Sequence, residues 1–133
     1  MRALVRVIAL SFLCLFCAPA PADVFQPAYL ELRELGDDEY AVLWKVPARP
    51  DSRRLAVYVR FPEATEQLTP STAFTVNGAW VERWNIRFPG GLVGQTIVIE
   101  GSATGVSDII ARVERLDGSS QVERLAIGAP EFT

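Results

Sequence analysis

An all-β fold, an antiparallel β-sandwich or Greek-key barrel of about eight strands, is what this sequence predicts, on three observations. Apolar and polar residues alternate at period two along most of the chain, the pattern of half-buried strands. Turn formers such as Gly36-Asp37-Asp38, Asn77-Gly78, Pro89-Gly90-Gly91 and Asp117-Gly118 recur at short intervals between those runs. Nothing after the first two dozen residues makes a convincing helix.

Residues 1–22, MRALVRVIALSFLCLFCAPAPA, read as a secretory leader. Arg2 and Arg6 form its positive start, residues 7–17 its apolar stretch, and Ala20-Pro21-Ala22 its small-residue cleavage site. Cleavage is expected before Asp23, since a cut after Ala20 would leave Pro21 at the new terminus. The apolar run before Pro19 is about half of the roughly 20 residues a bilayer span needs. Cys14 and Cys17 follow Leu13 and Phe16, not the small residue that lipoprotein processing requires. Residues 23–133, 111 residues, then form one domain, a size that hides roughly two-thirds of its unfolded surface.

The strands follow in order. AYLELREL (28–35) sets Ala28, Leu30 and Leu32 against Tyr29, Glu31 and Arg33. YAVLWKV (40–46) places Tyr40, Val42, Trp44 and Val46 on one face, with Trp44 as a core anchor. RLAVYVRF (54–61) does the same with Leu55, Val57, Val59 and Phe61. Pro47, Pro50, Pro62 and Pro70 stand at strand ends, where a missing N–H costs no ladder bond. Asn77-Gly78, the strongest short hairpin signal, joins AFTV to AWVERWNIRF. QTIVIEG (95–101), DIIARVERL (108–116) and QVERLAI (121–127) complete the set.

The last two strands carry the same tetrad, Val-Glu-Arg-Leu, on either side of Asp117-Gly118. A two-residue turn would set Val113 against Val122, Arg112 against Glu123 and Ile110 against Leu125. A five-residue loop would pair Arg115 with Glu123 and Glu114 with Arg124, whereas a four-residue loop would oppose Glu114 and Glu123 unfavourably. The workable registers read the repeat as cross-strand pairing, at roughly 0.2–1 kcal/mol per pair, rather than as a site.

Composition narrows the chemistry. There is no histidine, and both cysteines lie in the leader, so residues 23–133 have no disulfide, no His- or Cys-based metal site and no imidazole base. Lys45 and the six serines after the leader have no base at motif spacing. Of 13 basic residues, 11 remain without Arg2 and Arg6, against 16 acidic ones, a net charge of −5. An acidic surface argues against a nucleic-acid partner. No second apolar segment follows, so no membrane span is expected after leader removal. Asp37-Asp38-Glu39 lacks the ligand spacing of a calcium loop and reads as a solvated turn. Trp80, Arg83 and Trp84 are the candidate ligand or partner contact: the two indoles share a face, and an arginine stacked beside them would complete an aromatic platform. The competing reading of the tryptophans is ordinary core. Glu82 shares their face under strict alternation, which admits a bulge or an edge position.

PAYLELREL, YAVLWKVPA, WVERWNIRFPGGLVGQTIVIEG and DIIARVERLDGS, in that order and spacing, resemble the N-terminal extracytoplasmic region of HupE/UreJ-type membrane proteins, the hydrogenase and urease accessory proteins. The resemblance covers residues 27–133, most tellingly residues 43–47, 89–92 and 115–118. It implies a β-rich outer domain, a histidine-bearing multi-helix membrane part, and a link to nickel. This chain has no histidine, so no metal ligand carries over, and it stops where such proteins continue into the membrane. The expectation is a free-standing relative of the outer domain or one half of a split gene. Its function is then a periplasmic or secreted, non-enzymatic accessory or docking domain without a cofactor, whose partner is a multi-helix membrane protein met through a sheet edge or residues 128–133. The alternatives are a ligand-binding β-sandwich using the aromatic face, and an enzyme that uses carboxylates alone.

Overall fold

The computed structural model describes residues 26–49, 51, 53–101, 106, 108–125 and 131–133. The expected leader, with its expected cleavage site and both cysteines, lies outside the described residues. Ten strand segments and no helix are present among the described residues. They are β1 (Ala28–Gly36), β2 (Glu39–Pro47), β3 (Val57–Arg60), β4 (Glu66–Gln67), β5 (Thr72–Val76), β6 (Ala79–Arg87), β7 (Ile97–Gly101), β8 (Ile109–Glu114), β9 (Ser120–Leu125) and β10 (Glu131–Phe132). The very short β4 and β10 exceed the expected eight, because two-residue ladders leave no periodic trace in a sequence.

Two sheets form. The larger runs β4-β6-β2-β1-β8-β9, with β5 also on β6, and the smaller runs β10-β7-β3. The expectation of an antiparallel fold needs correction: β1 and β8 pair in parallel, Leu30 beside Ala111 and Leu32 beside Val113, so the larger sheet is mixed. Parallel neighbours need a long crossover, and here everything from β2 to β7 supplies it.

Turn chemistry sets the hairpins. Asp37 and Asp38 both have positive φ (53° and 61°), as do Asn77 and Gly78 (47° and 72°). That backbone twist suits two-residue loops between right-twisted strands. β1–β2 and β5–β6 are the resulting hairpins.

The β8–β9 hairpin takes none of the three expected registers. Arg115 N donates to Ser119 O at 2.9 Å, and Gly118 N donates to Arg115 O at 3.0 Å. With Gly118 at φ +83°, this is a three-residue loop over residues 116–118. Ala111 therefore faces Glu123, and Val113 faces Gln121. The two tetrads are offset by nine residues, an odd number, so in this register equal letters point to opposite faces. Val113 packs on the core, whereas Val122 is 61% exposed. Their charges do not pair with each other across the strands as expected. Arg112 pairs with Glu114 along its own strand, Arg124 chelates Asp108, and Arg115 donates to Gln121.

One apolar cluster draws on both sheets. β1 and β2 give Leu30, Leu32, Val42 and Trp44, while β3 and β7 give Val57, Ile97 and Ile99. Trp44 Nε1 donates to Val57 O at 3.2 Å, which ties the larger sheet to the smaller. The loop after β6 is fixed from the first hairpin: Gly90 N donates to Asp38 Oδ2 at 2.8 Å and Leu92 N to Tyr40 Oη at 2.9 Å.

Candidate functional site

Strand β6 alternates without a bulge against β2: Trp80, Glu82, Trp84 and Ile86 oppose Val46, Trp44, Val42 and Tyr40. Both indoles pack against the core while remaining only partly buried. Arg83, between them in sequence, takes the other face, where its guanidinium lies 5.3 Å from the centre of the Phe74 ring. The three expected contact residues are thus split by the strand's own periodicity, two on one side and one on the other.

Glu82 takes a carboxylate to the same face as the tryptophans, and its surroundings explain how that is tolerated. Arg54 Nε donates to its Oε1, and Trp80 Nε1 donates to the same oxygen at 3.1 Å. Both charged side chains are 18% exposed. A half-buried carboxylate without such donors would carry a large desolvation cost. The Arg54 guanidinium also lies 4.3 Å from the centre of the Tyr58 ring and donates from Nη1 to Leu55 O.

Around this pair opens a cleft of about 420 Å³. It lies between β3, the end strand of the smaller sheet, and β6 of the larger one. Tyr58 and Val59 of β3 form one wall, Glu82, Trp84 and Ile86 of β6 the other, and Trp44, Arg54, Ser71 and residues 61–63, 65 and 67 contribute the rest. Phe61 meets Trp84 edge-on, with ring centroids 6.4 Å apart and planes at 83°. Thr65 Oγ1 is shielded from solvent and has no hydrogen-bond partner among the described residues.

Arg54, Tyr58 and Phe61 were not legible as site residues. Arg54 and Glu82 stand 28 positions apart, and no local pattern announces their pairing. The only hint was Glu82 itself, a charge at a position where alternation demands an inward side chain.

A second, smaller cavity of about 120 Å³ is lined by apolar residues including Leu32, Leu92, Ile97 and Val113. Among the described residues no three or more acidic side chains gather as a metal site would require. In the Asp37-Asp38-Glu39 turn, Asp38 accepts a backbone N–H and Glu39 pairs with Arg87. No helix among the described residues is long and apolar enough to cross a membrane. No protein-family model matches this chain, and no curated protein matches it.

Proposed function

We propose that this chain is a non-enzymatic, extracytoplasmic docking domain whose partner is a multi-helix membrane protein, and that its two sheets face each other as a β-sandwich. The apolar cluster shared by both sheets supports the sandwich. The resemblance to HupE/UreJ-type outer domains supports the location and the kind of partner. The observation that carries docking is the edge strand β5. All five of its residues are exposed, and among the described residues no strand pairs with its outer side.

Natural edge strands are guarded by charge, proline or extreme shortness. β9 carries Glu123 and Arg124, and β3 carries Arg60. By contrast, residues 71–78, STAFTVNG, hold no charge at all, and Phe74 and Val76 are 40% and 42% exposed. Such an edge suits addition of an extended strand from an outer loop of the partner, with backbone bonds supplying affinity and Phe74 supplying an anchor. The other contact expected, residues 128–133, is partly engaged within the fold: Glu131 and Phe132 pair with Val98 and Ile97.

A photo-crosslinker placed at Thr75 in cells, followed by mass spectrometry, tests the proposal. A multi-helix membrane protein should be captured, and Phe74→Lys should abolish the capture while the fold persists. Recovery of soluble proteins alone, or of a membrane protein insensitive to Phe74→Lys, refutes it.

The cleft beside Trp84 favours a second reading, a ligand-binding domain. Its volume falls within the roughly 300–1,000 Å³ of small-molecule sites, and it combines aromatic walls with a few convergent polar groups.

A further inference from the structure

We infer that the cleft between β3 and β6 binds a neutral, hydroxyl-rich ring, the pyranose unit of a glycan. The inference rests on the ligand-binding reading and adds the chemical class of the ligand. It is independent of the β5 edge.

The electrostatics argue first. Arg54 and Glu82 neutralise each other, and both are largely withdrawn from water. An anionic ligand at Arg54 would sit beside the Glu82 carboxylate, and a cationic one at Glu82 beside the Arg54 guanidinium. Like charges so close repel strongly where water is largely withdrawn. A neutral ligand leaves the pair intact.

Hydrogen-bond capacity argues next. Glu82 Oε1 is occupied by Arg54 Nε and Trp80 Nε1, while Arg54 Nη1 is turned to Leu55 O. Among the described residues, Glu82 Oε2 and Arg54 Nη2 have no partner. The pair therefore offers an acceptor and a donor side by side. A hydroxyl both donates and accepts, so two neighbouring hydroxyls satisfy both groups at once. Gln67 adds another acceptor: its Nε2 donates to Thr69 O, which leaves its side-chain oxygen for the cleft.

Shape completes the case. Trp84 presents a partly buried indole in the same cleft, braced edge-on by Phe61 and not stacked against it. A pyranose has an apolar face of C–H bonds and a rim of hydroxyls. Its face fits the indole, and its rim fits the Arg54–Glu82 pair. An apolar side chain would use the indole and leave the polar groups unpaired, which hydrogen-bonding sites reject strongly.

The test is titration of the ¹⁵N-labelled protein while following its three indole N–H resonances. The probes are maltotriose and tri-N-acetylchitotriose, with L-argininamide, citrate and a blocked phenylalanyl dipeptide alongside. A trisaccharide should shift the Trp84 signal saturably, and the Trp80 signal through its bond to Glu82, while the Trp44 signal, whose N–H is held by Val57 O at the cleft floor, should move less. Glu82→Gln should weaken that binding at least tenfold. The exposed Tyr58→Ala, which removes a cleft wall without touching the core, should weaken it several-fold. Saturable binding of argininamide, citrate or the dipeptide in the cleft, with neither sugar binding, overturns the ligand class and leaves the ligand-binding reading standing. No shift with any probe overturns both. Sugar binding indifferent to both variants moves the site elsewhere and overturns the inference.

Discussion

At the scale of single residues, Trp44 and Asp117 mark the two extremes of this chain. Trp44 is 1% exposed, and its indole N–H caps the Val57 carbonyl on the smaller sheet. Trp44→Ala removes the largest buried side chain and orphans that carbonyl. The expected loss is about 3–5 kcal/mol in denaturant unfolding, and a loss below about 1 kcal/mol would contradict the assigned packing. Asp117 is fully exposed, yet the hydroxyl of Ser119, and after it the Ser119 N–H, hold its carboxyl below the ordinary aspartate range. A depressed folded-state pKa stabilises the fold above the unfolded-state value, and the contribution fades as pH falls through the folded value. Asp117→Ala should therefore lower the melting temperature at neutral pH, and the gap to the parent protein should close as the pH drops through and below the carboxylate range. A gap independent of pH would mean that the turn, not the charge, carries the effect.

At the scale of elements, the close approach between β7 and the chain entering β3 is the least forgiving feature. Gly101 ends β7 at φ +118°, and a Cβ built there would lie 1.9 Å from the Ala56 carbonyl oxygen. A methyl group must displace backbone and also adopt a disfavoured φ. Gly101→Ala should destabilise by roughly 2–4 kcal/mol, read from the unfolding midpoint. Gly78, also at positive φ, has open space around it, so an alanine there meets only the conformational penalty and should cost less. The β8–β9 hairpin shows why elements were easier to locate than to register. Alternation placed both strands to within about two residues where they are described, but charge pairing suggested even- and odd-summed registers alike. Backbone bonding around Gly118 and the Leu116 N–H donated to Glu34 set neither of them but a three-residue loop at the tip.

At the scale of the whole molecule, composition decides metal behaviour more firmly than family resemblance. Nickel, cobalt and zinc prefer imidazole and thiolate, and residues 23–133 hold neither. Calorimetric titration of tag-free protein from which residues 1–22 have been removed should show only weak carboxylate association with nickel. A stoichiometric micromolar site would overturn that expectation and revive the nickel link on this chain. The sheets pose a different whole-molecule question. The larger sheet presents an uncharged edge at β5, whereas β3, at the end of the smaller sheet, borders the Trp84 cleft. The two proposals thus use different parts of the molecule.

By itself the sequence determined the class and the inward faces. Leu30, Leu32, Val42, Trp44 and Val46 are buried as their alternation requires, because period two admits one apolar face per strand. Asn77-Gly78 likewise determined its hairpin, since few other pairs accept two positive φ values cheaply. Which strands became neighbours was decided only in three dimensions. Alternation is identical for a parallel and an antiparallel strand, so nothing in AYLELREL or DIIARVERL announced that β1 and β8 run side by side in the same direction. The same holds for the cleft. Trp84 was visible beside Trp80, but Arg54, Tyr58 and Phe61 join Trp84 only because the cleft brings β3 and β6 together, and Trp80 reaches it only through its bond to Glu82. Local periodicity reports what each strand must bury, and strand order reports what meets it there.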